Sequence, residues 1–167
     1  MKITKLVNLI ILALVASITV YSQTRDWAKL ILLESNRTEV EKIIGKPERY
    51  FETYGIYQTE IGRFYVWYSQ GGCQKNVEGL QYNIPARKLT RIVFSPKISL
   101  PLESYVSDKE DFKKERHSTM DSRYFYTSTD ETITYETVLP NNGREFVYTI
   151  ELQPGTDKQY LLCKDMK

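Results

Sequence analysis

Two cysteines, a single histidine, scattered carboxylates and a tyrosine-tryptophan block are the residues of this chain with chemistry to offer. Cys73 and Cys163 form an even pair, which in an exported chain reads as a disulfide rather than as nucleophiles. Closing the long loop between them restricts the unfolded chain by about 4–5 kcal/mol in the chain-entropy picture. Nucleophilic catalysis of the Ser-His-Asp or Cys-His kind needs a histidine base oriented by a third group. His117 sits in the polar run Lys113-Lys114-Glu115-Arg116-His117-Ser118 and reads as a solvent-exposed strand or loop residue. Zinc sites need several Cys or His ligands at close spacing, and no such set is present, so neither metal nor cofactor is expected.

Carboxylates are numerous, but Glu34, Glu39, Glu41, Glu48, Glu52 and Glu60 fit solvated faces and capping positions. A glycosidase-like pair must face across a cleft at roughly 5–10 Å. A small cell-envelope hydrolase using paired carboxylates is therefore the alternative reading, and no catalytic residue is named for it.

The aromatic block Tyr65-Val66-Trp67-Tyr68 runs into Gln70-Gly71-Gly72. Alternation along a strand puts Tyr65 and Trp67 on one face and Val66 and Tyr68 on the other. One face must be core. The other, if uncovered, is an aromatic platform for a protein or a glycan, because tyrosine contributes large contact area at low entropic cost. Tyr65, Trp67, Tyr68 and Gln70 are the candidate binding residues.

The elements that position these groups follow from patterning. Lys2 and Lys5, then the apolar run Leu6 to Val20, then Val20-Tyr21-Ser22 make a secretory signal over residues 1–22, with cleavage between Ser22 and Gln23. Removing Lys2 and Lys5 from the 23 basic residues leaves parity with the 21 acidic ones. A balanced surface gives no electrostatic case for nucleic acid or for a polybasic membrane patch. No stable membrane anchor is expected, and the protein is placed outside the cell or in the periplasm. Residues 23–167 suffice for one domain with its own core.

Asp26 can cap a short helix carrying Trp27, Leu30, Ile31 and Leu33. Ser35-Asn36 breaks it, and Asn36 with Glu39 makes a capping box for a second helix. Val40, Ile43 and Ile44 give that helix one apolar stripe, Gly45 fits a left-handed residue past its end, and Pro47 stops it. Asn36-Arg37-Thr38 also matches the N-glycosylation triplet.

Strands are expected at 49–57, 63–68, 89–95, 124–127, 131–139 and 144–152, from their β-branched and aromatic content and their turns. The last alternates Phe146, Tyr148, Ile150 and Leu152 against Val147, Thr149 and Glu151. Asn142-Gly143 is a strong hairpin signal. Ser69 to Lys88 reads as a long loop, and Ser107 with Glu110 as a cap for one helical turn leading into a strand near Phe112. Together these predict an α+β domain whose antiparallel sheet has one wet face.

The stretch Asn36 to Pro47, with Val40, Ile44, Gly45 and Pro47 at its key positions, resembles the helix-ending motif of the SmpA/OmlA outer-membrane lipoproteins. It is similar also to that of β-lactamase-inhibitor-protein-like domains. The resemblance implies an N-terminal helix pair packed on a curved antiparallel sheet. It does not imply membrane attachment, since no cysteine follows the apolar run closely enough to be acylated. The functional expectation is an exported, non-catalytic interaction module acting on another exported protein or a glycan.

Overall fold

The computed structural model describes residues 27–73, 81–140 and 143–163. The expected leader, the Asp26 cap and Asn142 of the expected hairpin lie outside the described residues.

The strongest local signals produce what they specify. Asn36 Oδ1 accepts from the Glu39 N–H at 3.2 Å, and Glu39 Oε2 accepts from the Asn36 N–H at 2.7 Å. This reciprocal box starts α1, Arg37–Ile44, whose Val40 is fully buried. α1 is the one α-helix among the described residues, and the expected helix pair is thereby corrected. Trp27–Lys29 makes only a 3-10 turn. Leu33 then adopts a left-handed conformation, φ 68°, and its N–H bonds the Leu89 carbonyl at 2.7 Å. That turn ends helical growth yet buries both Leu30 and Leu33, leaving Ile31 exposed.

Gly45 ends α1, and its N–H bonds the Glu41 carbonyl at 3.0 Å. Its φ of 103° is positive as expected, but its ψ of −176° is not that of the left-handed helix. This is the region that essentially only glycine occupies.

Among the described residues eight antiparallel strands form one sheet in the order β1-β2-β3-β4-β8-β7-β6-β5. They are β1 Arg49–Tyr50, β2 Tyr54–Gln58, β3 Gly62–Tyr68, β4 Leu89–Pro96, β5 Phe112–Arg116, β6 Arg123–Ser128, β7 Ile133–Val138 and β8 Phe146–Leu152. Most expected strands recur within two residues. The exception is 49–57, which folds into two strands. The Phe51 N–H bonds the Tyr54 carbonyl at 2.8 Å and turns the chain back on itself there.

β1–β4 and β5–β8 are each simple meanders. The crossover after β4 carries the chain to the far edge, so that β8 returns to pair with β4. The crossover holds a 3-10 turn, Leu102–Ser104, that local pattern did not reveal. Before β5, Asp108 rather than Ser107 is the capping group, accepting from the Glu110 N–H at 2.9 Å.

One sheet face is the core. Phe64, Val66, Tyr68, Ile92, Phe94, Tyr126, Tyr135, Val147 and Ile150 are buried on it. Leu30 and Val40 from the amino-terminal segment and Leu102 and Val106 from the crossover belong to the same buried cluster. In β8 the expected alternation fails midway. Glu136 pairs with Thr149 and Thr137 with Val147, which leaves Tyr148 as an extra residue. The bulge switches the faces. Val147 is fully buried, and Tyr148 is 48% exposed.

The long loop is fastened at both ends. Cys73 and Cys163 are disulfide-bonded with Cα atoms 5.6 Å apart. The Asn83 N–H bonds the Leu161 carbonyl at 2.7 Å, and Tyr82 bridges Leu162. Ser69 and Lys88 exchange a further bond, Ser69 N–H to Lys88 carbonyl, at 2.8 Å.

Two stability predictions follow from this geometry. A Cβ on Gly45 would meet no atom within 4 Å, so Gly45→Ala tests backbone conformation without a clash. It is expected to destabilise by about 1–3 kcal/mol in denaturant unfolding; coincident midpoints would refute the assigned conformation. Reduction of Cys73–Cys163 is expected to lower stability by up to about 4–5 kcal/mol while leaving the far-ultraviolet circular dichroism of the sheet intact.

Candidate functional site

The strand β3 does what alternation requires: Phe64, Val66 and Tyr68 are buried, while Tyr65 and Trp67 are half-buried on the opposite face. Strand register then decides which side chains join them. Tyr54 of β2 lies opposite Trp67, and Ile56 opposite Tyr65. From β4, Arg91 lies opposite Trp67 and Val93 opposite Tyr65. A bulge falls in β4 at this point, because Trp67 pairs with Arg91 but Tyr68 with Leu89.

The result is a column of stacked planes running across the strands. Phe51 stacks on Tyr54 at 4.4 Å and 14°. Tyr54 stacks on Trp67 at 5.9 Å and 24°. The Arg91 guanidinium lies 4.9 Å from the Trp67 ring centroid, and Glu151 of β8 holds Arg91 at 2.7 Å. Tyr65 adds a second contact to Trp67 at 6.3 Å. Phe51 is 43% exposed at one end of the column. Ring stacking and cation–π contact each contribute on the order of 1 kcal/mol, so the column is a pre-ordered surface rather than loose side chains.

Of the four residues picked from sequence, Tyr65 and Trp67 belong to this surface. Tyr68 does not: it is 4% exposed on the core face. Its hydroxyl pairs with that of Tyr57 at 2.7 Å. Burial pushes the Tyr68 phenol well above the ordinary tyrosine range, and the Tyr57 hydroxyl adds to this. Burial likewise raises Tyr57. Gln70 lies just past the end of β3, before Gly71, and is half-buried. Phe51, Tyr54, Arg91 and Glu151 are the members that sequence reasoning did not select. Tyr54 was visible as an aromatic strand residue, but only the hairpin register puts it beside Trp67.

The carboxylates are arranged for other work. Glu39 closes the helix cap and Glu41 holds Arg37 at 2.5 Å. Glu34, Glu48, Glu52 and Glu60 are exposed. Among the described residues the one buried acid is Glu145, and its partners are Lys114 Nζ at 2.7 Å and the Tyr126 hydroxyl, which donates to it. Desolvation pulls the Lys114 ammonium down, but the hydrogen bond and charge of Glu145 outweigh it and hold its pKa above the usual value. Burial raises the Tyr126 phenol. His117 is half-buried just past β5, its Nδ1 accepting from the Thr119 N–H at 3.2 Å and its ring 5.5 Å from Phe125. Among the described residues no group of three or more His, Cys, Asp or Glu is placed to hold a metal, and no helix is long and apolar enough to cross a membrane.

Removing the Tyr68 hydroxyl strands that of Tyr57, which is fully buried. Tyr68→Phe is expected to cost about 1–3 kcal/mol. The raised phenols also set the sign of the alkaline response. Their folded pKa values exceed the unfolded value of 10.0, so their contribution is complete below pH 10 and declines as pH rises beyond it. Denaturant midpoints should fall above pH 10, and more gently in Tyr68→Phe; an identical alkaline slope would disprove the linkage.

No family model matches the chain, and no curated protein matches it closely. A solved structure of a DUF4309 family protein, YjgB, from Bacillus subtilis is similar over 75% of this chain and 82% of that one, at 12% identity and a TM-score of 0.46.

Proposed function

We propose that the chain is an exported, non-catalytic interaction module whose outer sheet face, centred on Tyr65 and Trp67, docks a protein partner. The observation that carries this reading is the ring column itself. Tyr, Trp and Arg are the residue types enriched where proteins bind, and here they are pre-ordered on the face away from the core. Flat sugar binding calls for free ring faces. In this column Arg91 lies over the Trp67 ring and Phe51 stacks on Tyr54, so part of the flat ring surface is already taken. That arrangement favours a protein over a glycan.

Export is supported by the signal-like residues 1–22 and by the Cys73–Cys163 bond, which persists in oxidising compartments. The carboxylate hydrolase has no comparable support, because the partners of Glu145 are a lysine and a tyrosine rather than a second acid.

The test is cross-linking from the native envelope or medium with the exported chain and a Tyr65→Ala, Trp67→Ala double variant. A partner cross-linked through residues 51–67 of the wild type and lost from a folded double variant is the expected result. Cross-links that survive the double substitution undiminished would defeat the assignment of this face.

A further inference from the structure

We draw no further inference here: the strongest candidate, the outer-face patch of β6–β8 where the Arg123 guanidinium lies 4.7 Å from the Tyr148 ring centroid and is held by Glu136 at 2.6 Å, continues the sheet face already described, and nothing in the structure shows what covers it.

Discussion

The whole sheet hangs on one non-local pairing, that of β4 with β8. Every other neighbouring pair is consecutive in the chain, β3 and β4 through the long loop between Tyr68 and Leu89 and the rest through shorter connections. The seam is short: Ile92 with Leu152, Val93 with Glu151 and Phe94 with Ile150. Its hold comes from what it buries. Phe94 stacks on Phe64 at 4.4 Å, and Ile92 and Ile150 are almost wholly excluded from solvent. Burying side chains of this size contributes roughly 1.5–3 kcal/mol each, several times a net hydrogen bond. The disulfide acts beside the seam, tying the chain after β8 to the loop that leads into β4. Arg91 and Glu151 bridge the seam from the outer side, an exposed pair worth at most about 1 kcal/mol as an ion pair. Its greater effect is positional, since it holds the guanidinium over Trp67.

How much of this is legible in the sequence depends on the range of the interaction that decides it. The α1 cap is legible because Asn36, Glu39 and Gly45 decide it within ten residues. The facing of Tyr65 and Trp67 is legible because β3 keeps strict alternation. The disulfide is legible because two cysteines leave a single intramolecular pairing. Tyr148 is not legible. Its strand has perfect alternation in sequence, and only the bulge against Glu136 and Thr137 turns Val147 inward. Membership of the ring column is not legible either, because Tyr54 and Arg91 meet Trp67 through register in two separate strand pairs. The early end of the amino-terminal helical pattern is not legible for a third reason. Leu30 and Leu33 have helical spacing, but the Leu33 N–H finds its partner at Leu89, and tertiary hydrogen bonding overrides local propensity.

The sheet edges are poor templates for strand addition. β1 is only two residues long, and β5 presents Lys113, Lys114, Glu115 and Arg116 along the other edge. Short and charged edges resist strand addition by another chain. The inward-facing Lys114 adds to this, since its ammonium is committed to Glu145 and lies 4.2 Å from the Tyr124 ring centroid. Edge pairing is thus disfavoured on both sides.

Tyrosine content alone does not mark an exposed face. Tyr57, Tyr68, Tyr82, Tyr126 and Tyr135 are buried, two of them joined hydroxyl to hydroxyl and Tyr126 donating to Glu145. These side chains fill a core that aliphatic residues could fill, and their hydroxyls add a directional requirement. A slip of one residue in β3 would swap Tyr68 for Trp67 on the core face and leave the Tyr57 hydroxyl unmatched. The buried tyrosines therefore oppose register slip, while Tyr54 and Tyr65 are held at the surface by the register so defined. The same constraint that completes the core fixes the ring column.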